Sequence, residues 1–374
     1  MRRSARTIAL PTIMKYLLAA GCAPNLLLFV SLAGDARADV VTTWAEAQTR
    51  ACGSDFRSTE INKATLHYFE CGNGEPLGFG HGRSEGLMKR APVGRGELEY
   101  ETRGNGEPVL LIHGGIIAAS YVPLMGEPAL ANYRLIRYHR RGYAGSTKHE
   151  AGASFSMARQ AADALALLKH LRIERAHIVG HSYGGVIALQ LALDAPQAVH
   201  SLTLLEPALV RFVPGSDKFR QQALDPAVAR YGAGDHAGAV DAFMQVVVGP
   251  RWKAELARTI PGGPEQAERD ARTGFEIEMT ALADWEFSEQ RAPTISRPIL
   301  HVIGSESLPG FHEGGKVLHS WFPKRVEDLV VPGAAHGLHQ MGGRYSTIVA
   351  EGIAAFLRRH PLRGARPDRA QPVP

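Results

Sequence analysis

The sequence predicts an α/β fold: a doubly wound, mostly parallel sheet covered by helices, with a helical lid inserted between two of its strands. Three observations predict it. Short apolar runs without polar alternation recur along the chain, as strands buried on both faces require. Amphipathic stretches at helical spacing separate those runs, with glycine-rich turns at the junctions. Between residues 207 and 292 the alternation stops, and helical patterns follow one another with no convincing strand.

Taken from the N-terminus, the first 38 residues read as an export signal. Arg2, Arg3, Arg6 and Lys15 precede the apolar stretch "YLLAAGCAPNLLLFVSLAG", and "ARA" at 36–38 offers small residues for cleavage after Ala38. A retained membrane anchor is the rival reading, but Gly21, Pro24 and Asn25 interrupt a run that should reach about 20 apolar residues to span a bilayer. A lipoprotein site at Cys22 is disfavoured by the apolar residues after it. The expectation is a periplasmic or secreted protein with no stable membrane anchor. Export leaves Cys52 and Cys71 in an oxidising compartment, where a disulfide between them is an open option.

Residues 39–90 contain a partial repeat. "LHYFECGNGEPLGFGHG" (66–82) aligns without gaps on "LEYETRGNGEPVLLIHG" (98–114), an offset of 32. Gly78 and Gly80 break the apolar run in the first copy, and glycine weakens a strand interior. The segment therefore reads as a degenerate copy of the opening hairpin, placed before the working one. No third unit follows, which argues against a repeat architecture.

The core is expected over 91–206 and 293–360. "VLLIHGG" (109–115) and "RLIRYHRRGYAGS" (134–146) are strand then loop, and "MARQAADALALLKHL" (157–171) is an amphipathic helix. "AHIVG" is a further strand, "YGGVIALQLALDAP" a helix ended by Pro196, and "VHSLTLLEP" a strand ended by Pro207. After the lid (207–292), "RPILHVIGSES", "RVEDLVVPGAAHG" and "YSTIVAEGIAAFLRRH" resume the strand, strand, helix rhythm. Phe243, Met244, Trp252, Phe275 and Trp285 are candidates for the lid's interior or for its substrate face. The tail 361–374 is rich in proline and arginine and reads as disordered.

The formal charge of +5 is concentrated at the two ends, in the export signal and the arginines from Arg358 onward, so the body is slightly acidic. A nucleic-acid surface is not implied. The expected partner is a small-molecule substrate.

The chemistry centres on Gly180-His181-Ser182-Tyr183-Gly184, a G-x-S-x-G pattern between the strand "AHIV" and a helix. A serine hydroxyl is a weak nucleophile until a base takes its proton. His336, in the Gly/Ala loop after the last strand, is the candidate base, ahead of His339; His113, His177, His181 and His301 read as structural. An acid must orient the imidazole. Glu206, at the end of the strand after the serine's helix, is favoured, and Glu306 is the alternative. Backbone N–H groups of Gly115 and Tyr183 are the candidate donors to an oxyanion. This chemistry needs no cofactor, and no metal-ligand spacing such as His-Glu-x-x-His occurs.

As a set, His113-Gly114-Gly115, "RRGYAGS" (140–146), Gly180–Gly184, Glu206 and His336 resemble the α/β-hydrolase superfamily over about residues 94–360. The resemblance implies a serine hydrolase with the chain order serine, acid, histidine. Two positions depart from the usual pattern: His139 stands where many members carry aspartate, and Ser307 occupies the usual acid position after "PILHVIG". An acid at Glu206 resembles a minority, dehalogenase-like arrangement, although Ser182 argues against the aspartate-nucleophile activities. Esters and lactones are the expected substrates. Alternatives are cofactor-free perhydrolase or haloperoxidase chemistry, carbon–carbon bond hydrolysis, and a non-catalytic binding protein on the same scaffold.

Overall fold

The computed structural model describes residues 26–31, 56–61 and 64–70 as backbone strands, then 88–149 and 155–362 in full. Cys52, Cys71 and the tail beyond residue 362 lie outside the described residues. The chain divides into two units, Met1–Ser84 and Glu85–Pro374.

The first unit holds three antiparallel strands, β1 (Leu26–Ser31), β2 (Phe56–Ile61) and β3 (Ala64–Glu70), in the order β1-β3-β2. β1 falls within the expected export signal. The second unit contains an eight-stranded sheet: β4 (Lys89–Pro92), β5 (Glu97–Arg103), β6 (Glu107–Ile112), β7 (Tyr133–Tyr138), β8 (Ala176–His181), β9 (Val199–Leu205), β10 (Ile299–Gly304) and β11 (Val326–Val331). Its order is β11-β10-β9-β8-β6-β7-β5-β4, parallel from β11 to β7 and antiparallel at β5 and β4.

The 32-residue offset seen in the sequence recurs in the pairing. Arg57 faces Tyr68 in the β2–β3 hairpin, and Lys89 faces Tyr100 in β4–β5. On its other side each hairpin strand pairs antiparallel with a third strand that does not share the offset: Tyr68 faces Leu28 of β1, and Tyr100 faces Tyr138 of β7.

Around the large sheet run α1 (Val122–Met125), α2 (Met157–His170), α3 (Tyr183–Asp194), α10 (Pro309–Trp321) and α11 (Gly343–Arg359). Between β9 and β10 the described elements are helices alone: α4 (Ser216–Phe219), α5 (Asp225–Gly232), α6 (His236–Val247), α7 (Trp252–Thr259), α8 (Gly263–Arg269) and α9 (Met279–Ala283), with π-helical turns at Arg220–Leu224 and Thr273–Glu278.

Strand sequence follows from burial on both faces. Leu110 and Ile112 of β6 pack with Ala161 and Leu168 of α2 and Val186 of α3, whereas Val109 and Leu111 pack with Val349 and Ile353 of α11. Alternate residues thus enter two apolar layers, and an alternating polar strand would leave one layer unfilled. Ser156 caps α2 by accepting from Arg159 N at 3.2 Å. The helical insertion has its own core, including Val240, Met244, Trp252, Leu256 and Phe275. Ile116 and Ile117, from the loop after β6, join that core, which seats the insertion over one end of the parallel strands. Trp285 belongs instead to the main core, where its Nε1 donates to Gln190 Oε1 at 2.8 Å.

Candidate active site

The site lies at the C-terminal ends of β6, β8, β9, β10 and β11. Ser182 is the last residue before α3 and has φ 52° and ψ −117°, a region that costs a non-glycine residue about 1–3 kcal/mol. The surroundings impose this turn. Ser182 N donates to Leu205 O at 2.9 Å, and Ser182 O accepts from Gly185 N and Ala208 N at 3.0 Å each. Strand and helix pass so closely that a Cβ at Gly180 would lie 2.4 Å from Gly184 O, and one at Gly184 would lie 2.1 Å from Ile112 O. Those two glycines let the turn close. Its tip carries the hydroxyl, and Ser182 is partly exposed while its flanks are buried.

Glu206 also has positive φ, 44°, and is completely buried. Its carboxylate has three partners. Oε2 accepts from His336 Nδ1 at 2.5 Å, and Oε1 accepts from Gly304 N at 2.7 Å and from Ser307 Oγ at 2.5 Å. With Nδ1–H committed to the acid, Nε2 carries the lone pair that can take a proton. The imidazole is held on two further sides: Phe311 stacks on it at 4.0 Å between centroids, and His181 Nε2–H donates to His336 O at 3.0 Å. Burial, aided by His339 and His336, holds the His181 pKa well below the imidazole range, so His181 acts as a neutral donor.

The structure therefore joins His336 to Glu206. Glu306 is exposed, and its carboxylate accepts from Ser305 Oγ at 3.2 Å. His339 is fully buried, neither ring nitrogen has a partner among the described residues, and burial with the nearby His336 pushes its pKa down to about 3. Of the other histidines, His113 accepts from Arg140 N, His139 pairs with Glu99, and His177 contacts Ser201 and Glu107.

The loop after β6 passes against the serine turn, where a Cβ at Gly114 would lie 3.2 Å from Ser182 Cβ, and Gly115 follows it. Neither Gly115 N–H nor Tyr183 N–H has an acceptor among the described residues, the latter because it opens a helix. Ile116 N–H is already committed to Tyr143 Oη at 3.1 Å. Arg140 braces this loop from beneath, donating to His113 O at 3.0 Å and Gly114 O at 2.8 Å. It also donates to Gln160 Oε1 at 2.6 Å and pairs with Glu278, which Tyr143 Oη reaches at 2.8 Å. Burial raises the Glu278 pKa against the pull of Arg140 and the hydroxyl; at Arg140 burial pulls the pKa down, but Glu278 together with Tyr143 and Tyr183 outweighs it and keeps that guanidinium's pKa raised.

Glu278 and Ser307 are the participants that sequence reasoning missed. Glu278 reads as one more charge on an amphipathic segment, and its buried partner is 138 residues away. Ser307 marks where an acid is missing; that it binds the relocated acid is visible only once β9 and β10 lie side by side.

The chain matches the alpha/beta hydrolase fold family over residues 107–340. It is 29% identical over 262 residues to RutD, a candidate carbamate hydrolase of Klebsiella pneumoniae (strain 342), covering 67% of this chain and 92% of that protein. RutD of Variovorax paradoxus (strain S110) is 40% identical over 98 residues, which span 26% of this chain and only 36% of that protein. A thermophilic esterase from Thermogutta terrifontis superposes with a TM-score of 0.58 at 20% identity, covering 73% of this chain and 99% of that one, a likeness of fold. The matched region spans the sheet from β6 through the loop that carries His336, and with that architecture it shows that this chain belongs to the alpha/beta hydrolase fold family.

Proposed function

We propose that the protein is an exported serine hydrolase that cleaves small to medium esters or lactones through an acyl-enzyme. The observation that carries this reading is the 2.5 Å contact between His336 Nδ1 and Glu206 Oε2 beside a serine held at positive φ. Ser182 Oγ attacks the carbonyl carbon as His336 Nε2 takes its proton, and the Glu206 carboxylate stabilises the imidazolium so formed. The carbonyl electrons move to oxygen, where the N–H groups of Gly115 and Tyr183 receive the oxyanion; loss of such a donor typically costs about 10²–10³-fold. Collapse expels the alcohol, which takes the proton from His336. Water then enters by the same steps in reverse roles, releasing the acid and restoring Ser182. The helical insertion acts as the lid: Ile116 and Ile117 join its core, so substrate meets an apolar wall directly beside the proposed oxyanion donors.

The test is labelling by a fluorophosphonate probe, together with a panel of esters of varied acyl length, lactones and carbamates. Labelling of the folded protein, abolished by Ser182→Ala along with turnover, is the expected result. Absence of labelling, or equal labelling of the variant, would sink the proposal in favour of a non-catalytic binding protein. Peracid formation outrunning hydrolysis would move the assignment to a perhydrolase.

A further inference from the structure

The last two strands and the helix between them bring together three residues that no sequence spacing reveals. His301 of β10 and Asp328 of β11 are partners in the parallel register, and His319 lies on α10. His301 Nδ1 is 2.9 Å from Asp328 Oδ1, and His319 Nε2 is 2.8 Å from Asp328 Oδ2. We propose that His301, His319 and Asp328 form a binding site for a late first-row divalent cation such as Zn²⁺, distinct from the serine site.

Two imidazoles and one carboxylate are ligand types that Zn²⁺ selects, and three protein ligands leave a fourth position for water. Their ligand atoms all lie within 4.8 Å of one another. Around a tetrahedral ion with bonds of about 2.0–2.1 Å, neighbouring ligand atoms stand roughly 3.3 Å apart. The two present contacts run from separate carboxylate oxygens and are slightly short, whereas the three ligand atoms together spread over up to 4.8 Å, so seating an ion requires the carboxylate to turn and the side chains to shift by up to about 1.5 Å. The mobile partners can do so, because the side chains of His319 and Asp328 are both 44% exposed. His301 is the fixed ligand, with a side chain 3% exposed. Gly315 of α10 packs directly over its ring, where an added Cβ would lie 2.6 Å from Cε1. One rigid ligand beneath and two adjustable ligands at the surface make a site that an ion can reach from solvent. With neutral imidazoles the cluster carries one negative charge, which favours a cation.

The location gives the ion a consequence. β10 leads to Gly304, whose N–H holds Glu206; α10 begins beside Phe311, which stacks on His336; β11 leads into the loop bearing His336. An ion here ties together the three elements that support the acid–histidine pair.

The experiment uses the full protein, purified without an affinity histidine tag and stripped with chelator, titrated with Zn²⁺ by calorimetry and, in parallel, with Co²⁺ by visible absorption. One equivalent bound, a raised Tm and Co²⁺ bands of low-symmetry coordination are expected, tightening as pH rises because imidazole binds metal only when deprotonated. His319→Ala and Asp328→Asn, at half-exposed positions away from the serine site, should each weaken binding by roughly 100-fold while probe labelling at Ser182 persists. Zn²⁺ affinity unchanged in both variants, or no stoichiometric binding by wild type, would show that the three side chains form only a hydrogen-bonded His-Asp-His bridge.

Discussion

At Glu206 a single carboxylate serves His336, Gly304 N and Ser307 Oγ together. Replacing it by glutamine keeps the size but removes the charge that stabilises an imidazolium, so Glu206→Gln is expected to lower kcat by about 10²–10⁴-fold. Glu306→Gln, at an exposed position, should leave turnover intact; steady-state ester hydrolysis decides between the two. Ser307→Ala removes one hydrogen bond to a charged group, an interaction of about 1.5–3 kcal/mol, and should slow turnover by roughly tenfold, with Ser307→Thr recovering most of the loss. At this scale much was legible. G-x-S-x-G fixes the serine because its glycines report a forbidden Cβ, and the missing carboxylate at Ser307 directs attention to Glu206. The hydrogen bonds at Ser307 were not legible, because they join neighbouring strands separated by the whole helical insertion.

Among the elements, the loop after β6 and the Thr273–Glu278 turn depend on each other. Arg140 holds the carbonyls of His113 and Gly114 and pairs with Glu278, so the loop carrying the proposed donor Gly115 is braced by a residue of the insertion. Truncating one partner of a buried ion pair leaves an uncompensated charge and typically costs about 3–5 kcal/mol. Glu278→Ala should destabilise by that amount in chemical unfolding, and Arg140→Met with Glu278→Leu together should cost less than Glu278→Ala alone. The sequence shows the parallel strands, since apolar residues fill two layers on alternate positions, and the helices between β9 and β10 lie where its strand patterns stop. It misassigns Trp285, a lid candidate whose indole is drawn into the main core by Gln190. Periodicity gives a helix's apolar face but not the surface it meets.

For the molecule as a whole, buried histidines set the response to acid. His113, His139, His177, His181 and His339 all have pKa values depressed, first of all by burial, to about 4 for His177 and about 3 for His339. The unfolded chain binds protons at these groups below about pH 6.5, the ordinary imidazole value, while the folded chain does not. Stability is therefore intact above that pH and falls as pH drops toward 4, at up to about 1.4 kcal/mol per unit for each group. Tm measured from pH 7.5 to 4.5 should decline steeply below 6.5 and change little above it. The proposed export makes a separate claim on the first unit: cleavage after Ala38 would remove β1 and leave the β2–β3 hairpin. Intact-mass analysis of the exported protein should find Asp39 at its N-terminus, and a chain still carrying Leu26–Ser31 would refute cleavage there. The contact between Ser307 and Glu206 bears, finally, on ancestry. The two acid positions converge on one point beside one histidine, so an acid gained at 307 would share a proton with Glu206, as paired carboxylates do. An acid moved from 206 to 307 would thus stay beside the same carboxylate site that serves His336, one hydrogen bond away from where Glu206 now stands.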